Sequence, residues 1–457
     1  MFEKIHTVHF VGIGGIGISA VAKYFAIQGK NISGSDVASS LMTEELRKKG
    51  IRFYVGHEAS QVSENVDLLV YSSAIPVHNC ERQRAKELGV QELSYVDVLG
   101  ELSKSFSTIV VSGTHGKSTT TAMLGLILEQ AGYDPTVILG SRVPSFPEGN
   151  LRVGSGRFFV VEGCEYKANM LKLHPEMIVL TNIEEEHLDF YRDLAHIQET
   201  FQTFVDGLKG KGKVVWNADD PVSQHLTITR GTRYGIEAEA DYFISKREVY
   251  PGKQVLSFSR KGDQKEFLGI LNLSLPGEYN AMNALAAMTA AMELGVPFEI
   301  CAKTLESFKG IWRRFERLGV WKGAELISDY GHHPTEISAT LQAIREFFPD
   351  RRLVLCYQPH QHARTISLQK EIVEAVSAAD VIILPEIYEV AGRTEEKTIS
   401  SRNLVEKIKS RHPEKDVFYA SDLSEAEHHL QALVQEQDVL LLQGAGTIDD
   451  LARKLAH

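Results

Sequence analysis

Basic residues are in the minority in this chain, with 49 lysines and arginines against 60 aspartates and glutamates and a net charge of −11. Proteins that bind nucleic acid usually carry the opposite bias, so this balance argues against a polyanion partner. Cysteine is scarce as well. Cys80, Cys164, Cys301 and Cys356 lie far apart and form no C-x-x-C pair. That spacing indicates neither a disulfide framework nor a zinc site, and it fits a reducing cytoplasm. No apolar run reaches membrane-spanning length, and a strand pattern from His6 to Gly12 leaves no room for a signal peptide. No membrane partner is expected, and oligomeric state is left open. What the chain does have is the 43% hydrophobic and 24% charged composition of a folded enzyme or binding protein. Its 457 residues suffice for roughly three domains of about 150 residues.

The stretch that organises the rest is Ile109 to Thr121, I-V-V-S-G-T-H-G-K-S-T-T-T. A buried strand over Thr108–Val111 leads through Gly113, Thr114, His115 and Gly116 to Lys117, Ser118 and Thr119, and helical periodicity follows over Ala122–Gln130. Strand, glycine loop and helix make a phosphate site. Small residues let backbone N–H groups approach phosphate oxygens, the helix start adds partial positive charge, Lys117 adds a full one, and the Ser118 hydroxyl can ligate Mg²⁺. The expected ligand is ATP. The loop is a shortened form of G-x-x-x-x-G-K-[ST], since Val111 stands five before Gly116. An ordinary glycine turn capping a helix is the competing reading.

The first hundred residues alternate strands (Thr7–Val11, Ile32–Gly34, Arg52–Val55, Leu68–Tyr71) with helices over 16–28 and 41–49. G-I-G-G-I-G, carrying Gly12, Gly14, Gly15 and Gly17, follows the first strand and opens a helix, and Ser35-Asp36 ends the next strand. Such a fingerprint needs a pyrophosphate at a helix N-terminus and a sugar hydroxyl within reach of the acid. A nicotinamide dinucleotide and a UDP-sugar both offer these groups, and a tight turn without ligand is the bland alternative. Ser72 and Ser73 sit at the end of the fourth strand, where open α/β sheets bind ligands or merely cap.

Beyond the phosphate loop, strands over 157–161 and 176–180 end in Glu162-Gly163-Cys164-Glu165 and in Thr181-Asn182 with Glu184 to Asp189. Glu162 and His187, beside Ser118, would suit a divalent metal against ATP phosphates, whereas Glu185 and Glu186 read as a solvated loop. Asp241 to Leu275 reads as an antiparallel meander, and a helix over 279–294 carries Asn280 and Asn283 on its first turn, as purine readers or as caps. Of Arg313 and Arg314, one could reach a γ-phosphate, or both form a surface pair. The last segment alternates strands and helices again, with Asp329-Tyr330-Gly331-His332-His333 and His360-x-x-x-Arg364 at strand ends. The histidines match no zinc spacing, and Arg364 makes sense as a carboxylate clamp.

In this order, H-F-V-G-I-G-G-I-G, S-G-T-H-G-K-S-T-T, T-N-I-E-x-x-H-L-D, the Asn280/Asn283 helix, R-R-F-E, D-Y-G-H-H-P-T-E and Q-P-H-x-x-x-R-T resemble the Mur ligase family almost end to end. The resemblance implies an α/β fold in three domains. These are a Rossmann-like UDP-sugar domain over 1–104, a central P-loop ATPase-type domain with the meander over 105–318, and a Rossmann-like amino-acid-presenting domain over 319–457. It further implies an acid–amino-acid ligase that uses ATP and Mg²⁺ to join L-alanine to the lactyl carboxylate of UDP-N-acetylmuramate through an acyl phosphate. By the same resemblance Lys117 contacts the β/γ-phosphates, Ser118 and Glu162 hold one Mg²⁺, and His187 holds a second. Asn280 and Asn283 meet adenine, Arg314 the phosphates and Asp329 the ribose. Gly12, Gly14, Gly15, Gly17, Ser35, Asp36, Ser72 and Ser73 meet the UDP-sugar, and Tyr330, His332, His333, His360 and Arg364 the amino acid. Ser118 replaces a usual Thr, Gly163-Cys164 an Ala-Asp pair, and Tyr279 a common His. Gln361 stands where some relatives carry a basic residue, so glycine and serine stay open as acceptors. A sister ligase that attaches a tripeptide, a nicotinamide dehydrogenase and a non-catalytic nucleotide switch are the alternatives.

Overall fold

The structure, a computed structural model, describes residues 2–188, 190–208, 210–236, 239–389 and 398–457. Asp189, the last residue of the T-N-I-E-x-x-H-L-D stretch, lies outside them. The chain divides into two compact units. One runs up to Ser245 and takes in 257–269 and 282–305, and the other comprises 246–256, 270–281 and everything from Glu306 onward.

The first unit opens with a five-stranded parallel sheet of β1 (Thr7–Val11), β2 (Asn31–Asp36), β3 (Arg52–Val55), β4 (Leu68–Tyr71) and β5 (Gln91–Ser94), in the order β3-β2-β1-β4-β5. The chain leaves β1 toward one neighbour and returns on the other side at β4. The crevice between their carboxyl ends is where such sheets take ligands.

The second sheet is built on β6 (Ser107–Ser112), which is buried from Thr108 onward and paired in parallel on both sides, as strands inside a parallel sheet are. Around it lie β7 (Thr136–Ile138), β8 (Leu151–Arg152), β9 (Phe158–Gly163), β10 (Met177–Leu180), β11 (Lys213–Asn217) and β12 (Gly231–Gly235). With β13 (Tyr242–Tyr250), β14 (Lys253–Arg260) and β15 (Glu266–Leu273) the order is β15-β14-β13-β12-β11-β10-β6-β9-β7-β8. The meander joins through a parallel pairing of Tyr234 with Tyr242 and Gly235 with Phe243. Sequence periodicity misses β7 and β8 because runs of three and two residues are too short to show alternation.

Between the two sheets, Lys23 is buried and donates to Glu45 Oε2 (3.2 Å), to the Glu148 carbonyl (2.9 Å) and to Asn150 Oδ1 (3.0 Å). Asn150 Nδ2 donates in turn to the Ile16 carbonyl (2.6 Å) and to Ser19 Oγ (2.9 Å). This network ties the helix behind the glycine fingerprint to the second sheet.

The second unit carries a six-stranded sheet of β16 (Glu316–Trp321), β17 (Ala324–Asp329), β18 (Leu353–Tyr357), β19 (Val381–Pro385), β20 (Asp416–Ala420) and β21 (Val439–Gln443). Its order is β16-β17-β21-β18-β19-β20, parallel except for the edge pair of β16 and β17. No helix among the described residues is long and apolar enough to cross a membrane.

Candidate active site

The loop after β6 turns on two glycines that no other residue could replace without movement. Gly113 has φ +135, and a Cβ there would lie 2.1 Å from Thr181 Oγ1 and 2.7 Å from the Asn182 carbonyl. Gly116 has φ +83, and a Cβ would lie 2.2 Å from Asn283 Oδ1. The positive φ of Gly116 swings the chain directly into a helix over Lys117–Gln130, five residues earlier than periodicity expects. The β-branched run Thr119–Thr121 disguises that start, having poor helix propensity but being buried here.

The T-N-I-E segment after β10 braces the loop. Thr114 N donates to the Asn182 carbonyl (2.9 Å), His115 N to Asn182 Oδ1 (2.9 Å), and Thr181 Oγ1 to the His115 carbonyl (2.7 Å). Glu184 N donates to Thr114 Oγ1 (2.8 Å), and His115 Nε2 lies 3.3 Å from Glu184 Oε2. Ser118 and Thr119 are buried in the first helical turn. Asn283 Oδ1 accepts from Thr120 Oγ1 (3.3 Å), which places this amide against the phosphate-loop helix.

Lys117 curls over the loop. Its Nζ donates to the carbonyls of Gly113 (2.5 Å) and Thr114 (2.9 Å) and pairs with Glu165, 3.2 Å from Oε1 and 3.0 Å from Oε2. Burial works against the ammonium's charge, but Glu165, then Cys164 and Glu186, hold its pKa above the usual lysine value. Burial likewise opposes the Glu165 carboxylate, and Lys117 with His187 keeps it below its usual value. His187, at φ +57, sets its Nε2 3.4 Å from Glu165 Oε1 and its ring 4.8 Å from that of Tyr166. Glu165, Glu186 and His187 offer ligand atoms all within 4.8 Å of one another. Glu162 points Oε1 at Gly140 N (2.7 Å). Burial, then Glu165, pushes the Cys164 thiol up to about 12. Gly163 has its own reason, because a Cβ would fall 2.5 Å from Val110 Cγ1 and the usual alanine would not fit. Glu165 is the residue that sequence reasoning passed over. It stands among the polar residues ending β9, yet no spacing says that it alone turns toward Lys117.

At the crevice of the first sheet, Gly12 (φ +78) packs so closely on the Ser72 turn that a Cβ would lie 2.9 Å from Ser72 Cβ. Gly15 is the N-cap of the following helix and Gly17 passes the ring of Tyr95. Asp36 turns inward to this loop, its Oδ2 accepting from Gly14 N at 2.8 Å and its Oδ1 from Val37 N at 2.8 Å. Ser35 is fully buried and gives its hydroxyl to Glu81 Oε2 (2.7 Å), with His57 Nδ1 at 2.9 Å. Glu81 Oε2 also meets His9 Nε2 at 3.1 Å. Ser35 therefore belongs to the interior of this sheet, while Ser72 caps its turn by accepting from Ala74 N (3.4 Å) and Ser73 is exposed.

In the second unit, Asn280 donates Nδ2 to the Pro276 carbonyl (2.7 Å) as a helix-start bond. The two arginines part company. Arg313 is buried and donates to the carbonyls of Gly444 (2.5 Å) and Gly446 (2.9 Å), whereas Arg314 lies partly exposed over the Tyr330 ring, 3.5 Å from Glu336. Asp329 accepts from Phe315 N (2.9 Å), Gly331 N (2.8 Å) and Gln443 Nε2 (2.8 Å), so its carboxylate ties three strand ends together. His333 is the N-cap of the helix Pro334–Phe347, and Glu336 closes the capping box. The rings of Tyr330, His332, His360 and Tyr388 follow one another at centroid distances of 5.5, 5.9 and 5.5 Å, and Arg364 Nη1 lies 3.3 Å from His360 Nδ1. Tyr388 joins this row unannounced by any motif.

Models of three families of domain match the chain in succession: "Mur ligase family, catalytic domain" over residues 7–107, "Mur ligase middle domain" over 111–291 and "Mur ligase, glutamate ligase domain" over 313–446. A UDP-N-acetylmuramate–L-alanine ligase from Caldanaerobacter subterraneus subsp. tengcongensis is 37% identical over 99% of this chain and 97% of its own. Among solved structures, a UDP-N-acetylmuramate-alanine ligase from Thermotoga maritima superposes with a TM-score of 0.86 at 29% identity, covering 98% of each chain. A murein peptide ligase from Psychrobacter arcticus reaches 0.73 at 22% identity, again over 98% of each, which speaks for the fold alone.

Proposed function

The chain belongs to the Mur ligase family, and from that premise we propose its reaction: the ATP-dependent joining of L-alanine to the lactyl carboxylate of UDP-N-acetylmuramate, a step of peptidoglycan precursor synthesis. The observation that carries this reading is the loop Gly113–Thr119, with Lys117 folded over it and His187 at the neighbouring strand end, in a chain 37% identical end to end to a ligase of that name. A carboxylate is a poor electrophile. ATP therefore transfers its γ-phosphoryl group to the lactyl oxygen, giving an acyl phosphate and ADP, and the neutral amine of alanine displaces phosphate to form the amide.

Lys117 and the amides of Gly113 to Ser118 take the phosphates, and of the two arginines Arg314 is the one assigned to them, since Arg313 is buried on backbone carbonyls. Asn283 sits at the foot of the phosphate loop, suited to the nucleotide. The crevice between β1 and β4 receives the UDP-sugar at Gly12, Gly14 and the Ser72 turn. His360 and Arg364 in the second unit hold the acceptor's carboxylate.

Mg²⁺ fits the donor set, because carboxylates and an imidazole converge at Glu165, Glu186 and His187. Ser118 with Glu162, and His187, are the residues we assign to it, and when bound it would neutralise charge on the phosphates. A cytoplasmic location suits the four free cysteines.

The test is phosphate release from ATP, Mg²⁺ and UDP-N-acetylmuramate, run with L-alanine, glycine, L-serine, a tripeptide or no acceptor. Release that requires L-alanine is expected. Release with the tripeptide alone would reassign the chain to peptide recycling.

A further inference from the structure

Lys117 has three N–H donors, and all three are used within the protein, on Gly113 O, Thr114 O and the Glu165 carboxylate. A triphosphate that claims this ammonium must displace at least one of them. The two carbonyls belong to the loop that wraps the phosphates, whereas Glu165 is an anion and competes for the same charge. It is held hard in place. Its side chain is 4% exposed, its carbonyl accepts from the Tyr191 hydroxyl and from Ala168 N (2.8 Å), and its neighbours Lys167 and Ala168 take φ of +53 and +55. Left-handed conformations at two successive residues other than glycine persist only where the surroundings enforce them. Here they present Glu165 to Lys117 on one side and to His187 on the other.

We infer that Glu165 is a positioning residue that competes with phosphate for Lys117: it keeps Lys117 aimed over the cradle, yields it to the incoming nucleotide, and then retains His187. The exchange is of one anionic partner of the Lys117 ammonium for another. This rests on the ligase reading above, which counts Glu165 only among the donors near His187 and gives it no part in placing Lys117.

The consequence separates nucleotide binding from turnover in opposite directions. Glu165→Gln has the same shape and lacks the competing charge. Its Kd for a non-hydrolysable ATP analogue, measured by calorimetry at fixed pH and Mg²⁺, is expected to fall about tenfold, the scale of a hydrogen bond to a charged group. Its kcat for amide formation is expected to fall about tenfold or more as His187 loses its anchor, and Glu165→Asp is expected to restore part of both. A residue needed only for folding would weaken binding and turnover together. Unchanged or weaker analogue binding by the folded Gln variant, or, where Gln melts early, by Glu165→Ala, which also removes the charge, overturns the inference. If the unmodified protein binds no nucleotide at all, the ligase reading falls and takes this one with it. If it releases phosphate as expected while Glu165→Gln behaves identically, only this inference fails.

Discussion

Three glycines with positive φ separate backbone strain from steric crowding at the phosphate loop. At Gly132 (φ +81), just past the loop helix, a Cβ would meet nothing within 4 Å, so Gly132→Ala bears only the left-handed backbone, about 1 kcal/mol. At Gly116 the Cβ would lie 2.2 Å from Asn283 Oδ1, the end of a side chain that can rotate away at the loss of its bond to Thr120. Gly116→Ala should therefore cost about 2 kcal/mol. At Gly113 the obstacle includes the Asn182 carbonyl at 2.7 Å, and backbone cannot rotate away, so overpacking of about 1–3 kcal/mol adds to the strain and the total exceeds about 3 kcal/mol. With roughly 2–4 °C per kcal/mol for a unit of this size, calorimetry should show midpoints falling in the order Gly132→Ala, Gly116→Ala, Gly113→Ala, the last by about 6 °C or more. Analogue binding should follow a different pattern, intact in the first and lost in the other two, because only those two re-aim the loop amides. Equal midpoints for all three variants, or a Gly113→Ala protein that binds nucleotide normally, would refute the claim that close approach dictates these glycines.

Other substitutions test other parts of the molecule. Arg313→Ala strips two buried carbonyls of their donor and should cost about 3 kcal/mol in a thermal melt, whereas Arg314→Ala should melt normally and lose turnover with ATP. Removing the Tyr388 ring from its 5.5 Å stack on His360 should raise the KM for L-alanine about three- to tenfold in Tyr388→Ala, with Tyr388→Phe unaffected; a changed kcat with constant KM would contradict this. Ser155 first, then Arg152, holds the Asp134 carboxyl down at about 2 from 3.8. A depressed carboxylate stabilises the fold above its unfolded pKa, and that contribution is lost as pH falls through the folded one. Asp134→Asn should thus melt slightly lower at pH 7, by less than about 1 kcal/mol at this exposed site, with the gap closing between roughly pH 4 and 2.

By itself the sequence determined the alternation of strands and helices in the first and last segments, the glycine turns after β1 and β6, and the family, because each of these leaves a mark at short range, whereas short strands such as β7 and β8 leave none. The apolar runs of β6 and β9, four to six residues long and rich in β-branched residues, form buried strands, and the glycine loop that opens a helix after β6 lies at the carboxyl edge of the sheet. Which way a strand-end side chain then turns is another matter, decided by neighbours distant in sequence. The spacing of Asp36 suits a ribose, yet its carboxylate closes on Gly14 N, 22 residues away. Ser35 looks like its partner in ligand binding, and its hydroxyl meets Glu81, 46 residues on. Arg313 and Arg314 are indistinguishable as letters, and only the Gly444 and Gly446 carbonyls, more than 130 residues downstream, draw one of them inside. Glu165 shows this most fully. Burial of an ionised carboxylate is costly unless a cation and hydrogen bonds meet it, and its cation, Lys117, stands 48 residues earlier on another strand's loop. Local pattern cannot report a pairing that exists only once the sheet has brought β6 and β9 side by side.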